Sequence, residues 1–329
     1  MTGIFREKSP ASVFWLVMLS IGLHTHFIAD PPQMLAQPSD GLLFLALDQL
    51  PKVPSVGLMV LYQLLIIFQA LRLNYHANDL RMYPRPGYLV AMLYVIITSM
   101  LPEWNNVTPA LVANTLLIWL MVKLSRLYQP RASQVLIFNC GALAAATALV
   151  YQPMLVLLPW SFVVMAILRP FHLREWFILL LGMLTPYYLL VAVLYLLDQH
   201  EAIRQLQPWF QWHSHSALPH WPGIVAAGTL LLLLALLGLG FGQANSGRLL
   251  IQARKTWGSL VLLLVLCLPL PFVYWRVGLE AGLAGLVPLA VIGTHFVAFV
   301  RLRWLAALFC LLLVALSLYT NYTWILVRE

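Results

Sequence analysis

Asp30 is the residue of this chain best placed to do chemistry. It closes an apolar run that begins near Ser12, and Pro31-Pro32 immediately behind it restrict the backbone. A carboxylate held at a water boundary beside such a turn can take a proton from an acceptor hydroxyl or hold a divalent cation. It can equally serve only to end the helix and reinforce the chain's orientation, and the residues leave both readings open. Glu103, in Glu103-Trp104-Asn105-Asn106, supplies a second carboxylate at another short turn. These two are the candidate catalytic residues.

Imidazoles and one arginine are the candidate substrate-binding groups. His24 and His26 lie just before Asp30; two positions apart on a helix, they project to nearly opposite sides unless the helix has already unwound. His213-Ser214-His215 has the same spacing inside a loop, where both rings can reach one ligand. Each of these histidines can also be an ordinary packed or interfacial residue. Zinc needs three or four converging ligands, which these spacings do not establish, so a divalent ion is the one cofactor admitted and its ligands stay open. Arg276, behind Tyr274 and Trp275, can neutralise a lipid phosphate at headgroup depth or simply snorkel to water. No nucleotide-binding loop, zinc-protease helix or serine-hydrolase elbow is present in the sequence.

The elements that must position these groups are membrane helices. Hydrophobic residues make up 62% of the chain and charged residues 9%, against roughly 25% charged in soluble domains; mean hydropathy is +0.86. A spanning helix takes about 20 apolar residues, and eleven apolar segments qualify, at 12–29, 55–74, 88–102, 108–124, 133–151, 154–168, 176–197, 223–242, 258–275, 281–299 and 304–322. Segments 88–102 and 154–168 are short enough to be re-entrant or to sit where the bilayer is thinned. The fold class is therefore all-α, a polytopic transmembrane helix bundle of about eleven spans.

Charge alternates along the gaps between segments. Of the 19 basic residues only Lys52, Arg204, Arg276 and Arg328 fall on the side of Asp30, whereas Asp30, Asp40, Asp48, Glu103, Asp198, Glu201, Glu280 and Glu329 of the 11 acids do. Lysine and arginine are retained in the cytoplasm, which places the N-terminus inside and Asp30 outside, as in a multi-pass protein of the bacterial inner membrane. The first segment resembles a signal sequence but lacks a small-residue cleavage site, so it stays as an anchor. The net charge of +8 is scattered over termini and loops beside lipid headgroups, so no nucleic-acid partner is indicated. Cys140, Cys267 and Cys310 lie inside apolar segments without metal or disulfide spacing. Two outer loops are sizeable. In the first, residues 40–50 form an amphipathic stretch that Asp40 can cap, expected to lie on the outer leaflet. The second, 199–222, divides a seven-helix module at 1–198 from a four-helix module at 223–329.

Two stretches carry a resemblance. Phe5-Arg6-Glu7-Lys8-Ser9-Pro10 and the block 136–190, with Phe138-Asn139-Cys140-Gly141, Tyr151-Gln152-Pro153, Arg174-Glu175-Trp176 and Gly182 followed by Thr185-Pro186, resemble an uncharacterised family of multi-pass inner-membrane proteins from Bacteroidota, a domain of unknown function. That resemblance covers about the first 200 residues and implies no activity. The wider succession is an acidic outer loop after the first helix, an interfacial helix within it and paired helices with short outer turns. It resembles integral-membrane glycosyltransferases of the GT-C type, which use polyprenyl-phosphate-linked sugars. This chain departs from their pattern in having neither a second acid beside Asp30 nor a large outer domain. The resemblance implies sugar transfer on the periplasmic side to an envelope acceptor, with Asp30 as base or metal-positioning carboxylate, Glu103 and the histidines as polar support, and Arg276 on the donor phosphate. A scaffold subunit of an envelope complex, a lipid or solute transporter, and a polymerase or ligase of surface glycans are the competing readings.

Overall fold

A computed structural model describes residues 3–35, 41, 54–128, 133–198, 221–273 and 275–328. Among the described residues the chain is all-helical, with eleven helices: α1 (Pro10–Leu23), α2 (Ser55–Asp79), α3 (Leu89–Thr98), α4 (Pro109–Ser125), α5 (Gln134–Val150), α6 (Leu157–Leu168), α7 (Leu173–Leu196), α8 (Trp221–Asn245), α9 (Ile251–Cys267), α10 (Leu283–Phe299) and α11 (Arg303–Arg328). A single turn, Leu270–Val273, and short 3-10 segments join them. Seven of the helices, α2, α4 and α7 to α11, are long and apolar enough to cross a membrane. The protein is a multi-pass membrane protein. The expected interfacial helix at 40–50 and the histidine-bearing loop lie outside the described residues.

Local chemistry sets the helix ends. Pro10 and Pro109 occupy first-turn positions, where a missing N–H costs nothing. Thr108 and Ser133 cap α4 and α5 through their hydroxyls, each 3.3 Å from the backbone N–H three residues on. Helix α9 stops at Cys267, short of the expected 275, where Pro269 and Pro271 interrupt the pattern. Helix α1 stops at Leu23 rather than reaching 29. The chain continues from His24 as a 3-10 turn, Thr25–Ile28.

The short segment 88–102 is explained by its surroundings. Helix α3 has 10 residues, about 15 Å of rise and half a hydrocarbon layer, yet every residue from Val90 to Thr98 is buried in protein. Its ends meet other protein rather than lipid. Tyr88 N–H donates to Phe5 O at 2.7 Å on one side, and the 3-10 turn Pro102–Asn105 follows on the other. Helix α10, buried from Leu283 to Val297 except at half-buried Gly285, packs against α3 and α4 as the other central helix. Helices α7 and α8 lie outside, with Leu181, Leu184, Leu232 and Leu236 exposed on the lipid side.

Helices α5 and α7 approach most closely. A Cβ on Gly141 would strike Leu179 O and come within 3.0 Å of Met183 N, and one on Gly182 would strike Phe138 O. Without a hydrophobic drive between helices in lipid, such small-residue contacts supply the packing.

Hydrogen bonds join like ends of the helices. Arg6 donates to Val297 O at 2.8 Å, Arg174 to Gln134 Oε1 at 3.2 Å and Lys255 to Leu168 O at 3.4 Å. At the opposite end Thr25 meets the Tyr322 hydroxyl at 3.0 Å and Asn105 donates to Asn321 at 2.7 Å. The acids Asp30, Glu103 and Glu280 belong to this second end.

Candidate functional site: an acidic cavity behind Asp30

Three chain segments converge at that end, and each is held for a local reason. Asp30 sits one turn past His26, with its N–H donating to His26 O at 3.0 Å. Pro31 and Pro32 then carry the chain into an isolated parallel bridge between Met34 and Val107. Val107 N–H donates to Gln33 O at 3.0 Å, Leu35 N–H to Val107 O at 3.3 Å and Gln33 N–H to Asn106 Oδ1 at 2.9 Å. Asp30 is therefore on a braced segment, with proline behind it and a backbone clamp four residues on.

Glu103 lies in the 3-10 turn Pro102–Asn105. Trp104 in that turn is buried, and its indole N–H donates to Leu279 O at 2.8 Å. This bond ties the turn to the third segment, Trp275–Gly282, which bends at Gly278 with φ +71°, a region that suits glycine. Glu280 is carried there.

Below the turn is a buried polar network. Asn105 donates to Asn321 Oδ1 at 2.7 Å and lies 3.4 Å from His26 Nε2. The Tyr62 hydroxyl lies 3.2 Å from Asn105 Oδ1 and 3.3 Å from Trp104 O. Asn321 donates to Ser99 O at 2.8 Å and Ser317 O at 2.7 Å, and Thr320 to Met100 O at 2.6 Å. Helix α3 ends at Thr98, so these α11 side chains bind the carbonyls its C-terminus would leave bare. Asn321→Leu is expected to cost about 1–3 kcal/mol, because both donors to Ser99 and Ser317 and the acceptor for Asn105 disappear in a buried site. A lowered thermal midpoint in detergent checks this, with Leu311→Ala on the exposed face of the same helix as the comparison that stays near wild type.

Asp30, Glu103, Glu280 and His26 line one cavity of about 150 Å³, together with Asn105, Asn106, Asn321 and Trp324. Its described lining holds three carboxylates and no lysine or arginine. No family model matches the chain, no curated protein matches it, and no solved structure matches it.

The structure thus brings Asp30, Glu103 and His26 together. It leaves His24 outside: that ring is buried, with Nδ1 2.7 Å from Ser20 O, and packs on Phe27 and Tyr62 with centroids 5.0 and 5.1 Å away. The two histidine rings are 5.8 Å apart because the helix has given way to a tighter turn after Leu23. Arg276 belongs to the same segment as Glu280, but its side chain, like His213 and His215, lies outside the described residues.

Glu280, Asn321 and Trp324 were not singled out by motif or spacing. Glu280 was legible only as one outer acid among several, and Asn321 only as a polar residue in a mostly apolar helix, a type that seeks partners in a membrane. Among the described residues no group of three or more histidine, cysteine, aspartate or glutamate side chains is disposed to hold a metal. The described donor set does not form a ready-made divalent site.

Proposed function

We propose that the protein is a membrane glycosyltransferase-like enzyme of GT-C type arrangement, with eleven passes, its N-terminus in the cytoplasm of the bacterial inner membrane and its acidic cavity on the periplasmic side. The observation that carries this reading is that Asp30 and Glu103, more than 70 positions apart by their numbering, line the same cavity at the acidic end of the bundle. In the reaction, the Asp30 carboxylate takes the proton of an acceptor hydroxyl. The acceptor oxygen bonds to the anomeric carbon of a polyprenyl-phosphate-linked sugar, and the bond from that carbon to the phosphate oxygen breaks, the phosphate leaving with the electron pair. Glu103, across the cavity wall, accepts hydrogen bonds from the hydroxyls of the sugar or acceptor and orients them. The departing phosphate needs a cation, sought at Arg276 on the segment that carries Glu280. A family likeness to uncharacterised Bacteroidota membrane proteins is consistent with this reading and adds no activity to it.

The test is transfer by purified protein in liposomes, supplied with a radiolabelled isoprenyl-phosphate sugar and envelope lipid acceptors. Wild type is expected to form a labelled product, and Glu103→Gln to lower the rate at least about tenfold with folding intact. Equal rates in the two would remove Glu103 from the site. Absence of product across donors and acceptors would overturn the transferase reading in favour of a scaffold.

A further inference from the structure

A second cavity, of about 240 Å³, lies between the first turn of α8, with Pro222 and Ile224, and the end of α11, with Tyr319 and Thr323. It shares Pro102, Glu103 and Trp324 with the acidic cavity, so Trp324 stands as a partition bordering both. Its placing follows from the helix that carries it. Trp324 comes three residues after Asn321, one turn along the same face of α11, and Asn321 fixes that face by its bonds to Ser99 O, Ser317 O and Asn105. A tryptophan near the end of a membrane helix is commonly an interface anchor with its ring turned to lipid. Trp304, at the other end of α11, is 60% exposed in that way. Trp324 is half-buried and lines the acidic cavity instead.

Size and chemistry narrow what packs on this residue. A cavity of about 150 Å³ takes one six-membered ring, as an engineered apolar cavity of that volume takes benzene. The face of an indole is the negative side of its quadrupole and attracts positively polarised hydrogens, which the C–H bonds on one face of a pyranose ring present. Around it Asp30, Glu103 and Glu280 accept from hydroxyls, and a carboxylate has about four lone-pair sites, so one that is already engaged still accepts another donor. Asn106, whose Oδ1 receives Gln33 N–H, offers its amide hydrogens to hydroxyl oxygens. Resting on the transferase reading, we propose that Trp324 is the platform on which the ring of the transferred sugar stacks, with the sugar hydroxyls held by the carboxylates and the Asn106 amide. The acceptor has to bring only one hydroxyl to Asp30, whereas the transferred sugar brings a ring at every turnover. The donor phosphate, bonded to the anomeric carbon at the edge of that ring, takes no part in the stacking contact.

The experiment uses the full chain, labelled with 5-fluorotryptophan, in phosphatidylglycerol nanodiscs, whose lipid carries no sugar. The fluorine signal of Trp324 is assigned as the one missing from Trp324→Phe, and that of Trp304 likewise. Methyl glucoside, methyl galactoside and methyl N-acetylglucosaminide are titrated in turn. At least one is expected to shift the Trp324 signal saturably while the Trp304 signal stays, and glycerol, which has hydroxyls without a ring, should move neither. In the liposome transfer reaction Trp324→Leu should raise the donor KM about tenfold, a difference near 1.4 kcal/mol, with kcat within about twofold, the pattern of lost ground-state binding. Trp324→Phe, which keeps a flat ring face, should recover most of that affinity, and Trp304→Leu should leave both constants unchanged. A Trp324 signal that none of the three glycosides moves, or a folded Trp324→Leu protein with the wild-type donor KM, overturns the proposal. A saturable shift at Trp324 without transfer to any acceptor leaves the sugar platform standing and removes the transferase reading. Transfer with an unmoved Trp324 signal does the reverse.

Discussion

Asp30→Asn is expected to lower glycosyl transfer by about 10²–10⁴-fold, the range that a positioned general base contributes, while leaving the protein folded and inserted. The asparagine keeps the shape of the side chain and loses its basicity. The backbone that positions the residue does not depend on the carboxylate: its N–H bond to His26 O, the two prolines and the clamp between Gln33 and Val107 all remain. The measurement is product formation per folded molecule in liposomes, paired with recovery of the glycan product in cells. Asp30→Glu, which restores a base on a longer arm, should recover part of the rate. Unchanged product from a normally expressed Asp30→Asn protein would strip the proposed mechanism of its base and reduce Asp30 to a residue of the turn that follows α1.

The largest expected loss of stability is at Gly141. Gly141→Val should destabilise by about 3 kcal/mol or more, beyond the usual cost of overpacking, because the atoms a Cβ would meet are the backbone of α7 at Leu179 and Met183. No rotamer change relieves a clash with backbone, so the helices must separate and surrender contacts along their length. Gly182→Val should act alike from the other side, against Phe138 O. The double variant should cost less than the sum of the two, since one separation relieves both. Gly228→Val on α8, where a Cβ meets nothing within 4 Å, is the comparison. Thermal midpoints in a mild detergent check all four; a Gly141→Val protein as stable as wild type would mean that α5 and α7 do not touch as described.

That contact changes the meaning of a pattern visible in the sequence. Phe138-Asn139-Cys140-Gly141 and Gly182 with Thr185-Pro186 stand out in the sequence as short motifs set within apolar segments. In three dimensions their glycines face each other across the α5–α7 contact, with Cys140 buried beside Gly141. The placing of these glycines is thus explained by packing. His24 could be read from the sequence as a binding group or as an ordinary packed histidine, and its ring is buried against Tyr62.

The sequence by itself determined the solvent. Apolar runs of spanning length, interrupted by charges of alternating sign, admit no soluble fold, since unpaired backbone groups in a bilayer leave helices or closed barrels as the choices and the segments are too long for strands. Element positions followed from the same runs, because each apolar stretch must supply its own backbone hydrogen bonds. The candidate carboxylates were also legible: a charged group at the end of a membrane helix is costly to keep unless it faces water or a partner. Tertiary structure alone decided that Asp30, Glu103 and Glu280 share one cavity, that α3 can be short because protein rather than lipid meets its ends, and that a second chamber opens beside the first between α8 and α11. Those facts depend on contacts between residues up to 250 positions apart by their numbering, set by side-chain shape and by which carbonyls Asn105 and Asn321 satisfy. Hydropathy and charge counts are blind to both, because they measure each segment against water and lipid and never against another segment.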